Sequence, residues 1–175
     1  PFGLLVLDLA SRQFKSTVFT SSPVRGFTKY HGLYYLAAEN GLFRFDPNAG
    51  NIIEDFSSWE KVEVTGLPAS YSCQAVAVYQ DVLYAGLAGD LYRQDQGDFI
   101  LWYTKEGFTI DFLSAEGQNL MAGFACDAEC VGKVFYFRDS GFWHENGIYC
   151  TARPSYAIED EKGRIWYADR YPEFR

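Results

Sequence analysis

Four polar side chains stand at matching places in four similar segments of this chain: Arg25, Gln74, Asp111 and Tyr156. A small or apolar pair follows each of them: Gly26-Phe27, Ala75-Val76, Phe112-Leu113 and Ala157-Ile158. Arrayed about one axis, these side chains form a column able to bind a small polar ligand, with Arg25 opposing an anion and Asp111 a cation or a hydroxyl. The alternative is that they hydrogen-bond one another and ordered water, as polar groups around a channel do. A second candidate is Phe142-Trp143-His144, inside the turn-like segment SGFWHEN at 140–146. An aromatic loop tip there can stack on a sugar face or a partner protein, unless Trp143 is core. A third is the C-x3-C spacing of Cys126 and Cys130, which can close a small disulfide loop and leave Cys73 and Cys150 as a second pair. Four reduced thiols are the other option.

Catalytic chemistry has little to stand on. There is no G-x-S-x-G elbow and no H-E-x-x-H. His31 and His144 both fall in predicted turns, and neither lies beside Cys126 and Cys130 as a zinc site requires. Calcium takes about six to eight oxygens, whereas the column offers one carboxylate and one amide. The expectation is no catalytic residue, no metal site and no cofactor.

The elements that must position these groups come from a repeat. Residues 24–46, VRGFTKYHGLYYLAAENGLFRFD, return at 73–95 as CQAVAVYQDVLYAGLAGDLYRQD, with Tyr30 on Tyr79, Tyr35 on Tyr84, Leu42 on Leu91 and Arg44 on Arg93. Each copy is an alternating apolar run, a polar turn, a run rich in Leu and Tyr, a Gly-bearing turn and a third run ending in Asp. A period of about 40–50 residues made of short strands marks the blade of a β-propeller. The predicted fold is therefore all-β, about four blades' worth of four-stranded antiparallel sheets in a single domain or propeller fragment.

In chain order there is a half blade at 1–20, with Gly3, Leu4 and Asp8 matching Gly41, Leu42 and Asp46. Blades follow at 24–60, 73–104 and 109–150, then a half blade at 155–175. The first full blade is expected to take its fourth strand from about 51–56, and KVEVTGL within 57–72 to add a short edge strand. The third blade carries an insertion at 126–132. Trp59, Trp102 and Trp166 are expected in blade cores, and Glu159-Asp160-Glu161 as solvated charges on a turn. The two half blades are complementary, so the chain fits either a closed four-bladed ring sealed by its ends or part of a larger propeller. Its start, Pro-Phe-Gly without an initiator Met, fits a processed chain or part of something longer.

Composition agrees. Aromatics make up 18% of the 175 residues, a bias that suits pleated strands. A net charge of −8, with no Lys/Arg cluster, argues against nucleic acid and anionic lipid as partners. No apolar run is long enough to span a membrane.

The segment AIEDEKGRIWYAD at 157–169 resembles the short repeat of two-component-regulator propellers through Ile158, Glu159, Asp160, Gly163, Ile165, Trp166 and Ala168. NGLFRFDPNAG is similar to the strand-turn of those propellers and of the gluconolactonase/strictosidine-synthase-like group. The first resemblance implies a periplasmic or extracellular sensing or scaffolding module. The second implies a metal-dependent lactonase or hydrolase with Ca²⁺ in the channel. The favoured expectation is a non-catalytic, extracytoplasmic module that binds a protein or glycan, with the metal-dependent enzyme and a structural subunit of a larger assembly as alternatives.

Overall fold

The computed structural model describes residues 3–116, 119–126, 133–138, 142–143, 148–149 and 153–170. Five antiparallel sheets follow one another along it, and the fold is all-β. Sheet A pairs β1 (Leu4–Asp8) with β2 (Gln13–Val18). Sheet B runs β3 (Val24–Tyr30), β4 (Leu33–Ala38), β5 (Gly41–Phe45) and β6 (Glu60–Lys61). Sheet C repeats that order with β7 (Cys73–Tyr79), β8 (Val82–Leu87), β9 (Asp90–Asp95) and β10 (Asp98–Tyr103). Sheet D comprises β11 (Thr109–Ser114), β12 (Leu120–Ala125) and β13 (Lys133–Arg138), edged by two short pieces, β14 (Phe142–Trp143) and β15 (Ile148–Tyr149). Sheet E pairs β16 (Arg153–Glu159) with β17 (Ile165–Arg170).

Strand alternation builds the layers between sheets. On β4, Tyr35 and Ala37 face sheet C while Leu36 and Ala38 face sheet A, and all four are buried. On sheet C, Val76, Leu83, Ala85 and Leu87 meet sheet B, whereas Ala75, Ala77, Tyr84 and Leu91 meet sheet D. A strand covered on both faces must be apolar throughout, which accounts for runs such as LYYLAA and VLYAGL. The hairpin joining β3 to β4 turns on His31 and Gly32, with φ of 46° and 85°, and that joining β7 to β8 on Gln80 and Asp81, with φ of 47° and 58°. Two successive left-handed residues give the two-residue turn whose twist matches antiparallel strands.

Two expectations need correction. The fourth strand of sheet B is not 51–56 but Glu60–Lys61, and KVEVTGL contributes only its first residue, Lys61, to a strand rather than forming an extra edge. The chain instead makes a 3-10 turn at Phe56–Ser58, capped by Asp55. Aromatic packing holds it there: Phe56 lies 4.9 Å from Phe43, and Trp59 lies 5.3 Å from Phe45 and donates its indole N–H to the Ile53 carbonyl at 2.9 Å. Trp59 is buried, but Trp166 is 57% exposed and so is not core. Sheets A and E are not joined, and the described residues show no closed ring.

Candidate functional site

One irregularity recurs in all four inner strands. In β3 the register jumps from Val24↔Ala38 to Gly26↔Ala37, leaving Arg25 opposite no partner. The same bulge skips Gln74 in β7, Asp111 in β11 and Ser155 in β16 in the cross-strand register. A bulge disrupts the ladder locally and re-aims the side chain it carries. Here Arg25, Gln74, Asp111 and Ser155 all line one cavity of about 670 Å³, bounded by β3, β7, β11 and β16. Tyr156 lines it as well, one position after the bulge. Thus the four residues expected in a column do border a common space, while by backbone register the fourth equivalent position is Ser155.

The surroundings define what this cavity can hold. Arg25 is ion-paired with Glu39 across the β3–β4 pair. The Tyr156 hydroxyl donates to Glu116 at 3.3 Å, and its ring packs 5.9 Å from Phe112. Phe27 and Tyr156, each 44% exposed, both border the cavity, and Phe27 stacks on Tyr34. Ser114, only 3% exposed, also borders this space, but its hydroxyl oxygen is buried away from it and has no hydrogen-bond partner among the described residues. Donors, acceptors and bordering rings together suit a ligand rich in hydroxyls.

Residues beside the cavity do structural work. Asn119 donates to Glu159, tying sheet D to sheet E, and both are buried. Glu159 is therefore not a solvated charge, a correction to the sequence reading. Sequence reasoning missed this pair because the partners lie 40 residues apart; the only hint was the Glu159-Asp160 dipeptide of the repeat. Asp160 accepts from the Trp166 indole at 3.1 Å, from the Lys162 and Arg164 backbone N–H groups at 2.9 Å each, and from the Arg164 side chain at 2.7 Å. The Trp166 bond first, and then the Arg164 backbone, hold its carboxyl well below the ordinary range. Asp, Gly and Trp of the repeat thus act as turn chemistry.

The remaining candidates are quickly placed. Phe142 and Trp143 form β14, paired with Arg138 and Phe137, and His144 lies outside the described residues. Cys126 follows β12, while Cys130 and Cys150 also lie outside them. Cys73 is free and buried, so it does not form the second pair with Cys150 that the sequence allows, and burial pushes its thiol pKa up. Among the described residues no group of three or more His, Cys, Asp or Glu side chains is arranged to hold a metal ion.

Neither a family model nor a curated protein matches the chain. Solved structures do. The extracellular domain of a one-component system of B. thetaiotaomicron, BT4673, superposes with a TM-score of 0.69 at 17% identity, over 94% of this chain and 22% of that one. PorZ, an essential bacterial surface component of the type-IX secretion system of Porphyromonas gingivalis, gives 0.67 at 16% identity, over 95% and 21%. The computationally designed protein Ika4 gives 0.54 at 14% identity, over 85% and 92%. The chain spans about a fifth of the length of the two bacterial structures. Both are propeller-type folds, and the likeness to regulator-type propellers holds at the level of fold. No helix among the described residues is long and apolar enough to cross a membrane.

Proposed function

We propose that this chain is a non-catalytic binding unit of an extracytoplasmic assembly, and that its inner cavity takes a glycan. The observation that carries this reading is the bulge repeated in four strands, which turns a guanidinium, an amide, a carboxylate and a hydroxyl toward one space edged by Phe27 and Tyr156. Sugar hydroxyls both donate and accept, so mixed polar groups beside exposed rings match them. A rigid layered scaffold loses little freedom on binding. The surface and extracellular settings of PorZ and BT4673 support the compartment. The tip around Phe142-Trp143-His144 is a second contact for the same partner, and a Cys126–Cys130 bridge would stiffen the neighbouring insertion.

Titration calorimetry against an oligosaccharide panel tests the cavity. Gln74→Ala and Tyr156→Ala are expected to weaken binding tenfold or more with unchanged melting. Full retention by both variants, or binding of protein ligands alone, refutes it. Trp143→Ala reports separately on the tip, and non-reducing peptide mapping on the bridge. The calcium-dependent hydrolase reading is less well supported: among the described residues Asp111 and Glu116 are the carboxylates lining the cavity, fewer than the oxygen shell calcium takes.

A further inference from the structure

A second hollow, of about 350 Å³, adjoins the inner cavity at Gln74. Gln74 borders both spaces, and Thr109 and Ile110 line the second where Asp111, the next residue of β11, lines the first. The hollow therefore lies over the entry to β7, the turn from β8 to β9 and the start of β11.

Its floor is held in place from two sides. The turn from β8 to β9 is Ala88-Gly89, both left-handed, with φ of 52° and 96°. A residue that carries a Cβ keeps that conformation only where its surroundings impose it. Here the Ala88 N–H donates to the Ser72 carbonyl at 2.8 Å, and the Ile110 N–H donates to the Gly89 carbonyl at 2.9 Å. Any Cβ at position 89 would come within 3.1 Å of the Thr109 methyl, so the turn and β11 are in close contact. Tyr71 and Ile110, both buried, give the hollow an apolar base. Ser70, Ser72 and Thr109 add hydroxyl-bearing side chains at positions that water reaches. The Thr109 hydroxyl donates to the Ala125 carbonyl at 3.5 Å and keeps its lone pairs for another donor. Among the described residues no charged side chain lines the hollow, and hydroxyls over an apolar base suit a sugar face better than an ionic group.

We propose that this hollow is a second subsite of the glycan site, holding one neutral sugar unit of a chain that continues into the inner cavity. Gln74 serves both units, because an amide offers two donor hydrogens and a carbonyl acceptor on one side chain. The subsite depends on the glycan reading of the cavity, and it makes the ligand an oligosaccharide rather than a single sugar. The fixed floor means that the outer unit meets a surface already in its bound shape, which limits the entropy lost on binding.

The test is calorimetry with neutral oligosaccharides derived from cellulose, mannan and starch, each from a single sugar upward. In the series that binds, affinity should climb with length, by roughly tenfold or more between the single sugar and the longest chain. Ser70→Trp fills the hollow from an exposed position; it should cancel the gain on the longest chain and leave single-sugar binding and melting unchanged. Failure of every series to bind overturns the cavity reading and the subsite with it. A single sugar held as tightly as the longest chain overturns the subsite alone, and so does undiminished binding of the longest chain by Ser70→Trp. If Ser70→Trp melts early, Ser72→Ala takes its place and should weaken the longest chain severalfold; full retention there counts equally against the subsite.

Discussion

Sheets C and E grow from the same repeat and differ in what covers them. Sheet C is covered on both faces, and its two layers are apolar from Cys73 to Phe99. Among the described residues sheet E is covered on one face; part of that layer is apolar, with Phe112, Met121, Val134 and Ala157, and part is the Asn119–Glu159 bond. Where two neighbours press on a sheet, any apolar side chain of suitable size stabilises it. Where one neighbour does, stability depends on polar groups finding each other, since a buried group left unsatisfied costs about 1–3 kcal/mol. Local opening should therefore begin at sheet E.

The sharpest way to test the contrast is to remove packing from the middle. Leu83, fully buried between sheets B and C, should cost about 2–5 kcal/mol on Leu83→Ala, read as a lower urea midpoint. Ile165→Ala, on the half-covered sheet, should cost clearly less; equal losses would erase the distinction. Next in size is Asn119→Ala, which removes one hydrogen bond from the buried Glu159 carboxylate and should cost about 1–3 kcal/mol. Hydrogen exchange should show this loss in β16 and β17 before β7 and β8.

A smaller effect concerns acid. The Asp160 carboxyl titrates below its unfolded value near 3.8, so its contribution is complete above that pH. It is lost as pH falls toward the depressed folded value. Melting of the native chain should drop in that window, and Asp160→Asn should flatten the drop while leaving neutral stability only slightly reduced. The smallest change belongs to the outer edge strand of sheet C, β10: Leu101→Ser, at a side chain 53% exposed, should stay within about 0.5 kcal/mol of the parent. A larger loss would show that this edge is covered in solution.

Much of this layering was readable from the residues alone. Continuous apolar runs with Gly-bearing turns gave five strand groups in the right order, because alternation and turn chemistry are local. The fourth strand of sheet B was not readable, since the Phe43–Phe56 and Phe45–Trp59 contacts that place it are made across the fold. Trp166 was misjudged for a related reason: its repeat equivalents Tyr84 and Met121 are buried, but only because another sheet lies over them. In the cavity, Arg25, Gln74 and Asp111 were visible as aligned polar positions. The bulge that selects them, and that marks Ser155 rather than Tyr156, depends on backbone register and leaves no mark in residue type.

That bulge also separates two demands which usually compete. A side chain inside a strand ladder must suit its cross-strand neighbour, so its identity is constrained by the sheet. Arg25, Gln74, Asp111 and Ser155 are each skipped by the cross-strand register, and four unlike residues occupy the position with the surrounding pairs in register. The cavity's chemistry can consequently vary from strand to strand without a change of ladder register, with Arg25 held by Glu39 and Ser155 by the Ala168 carbonyl.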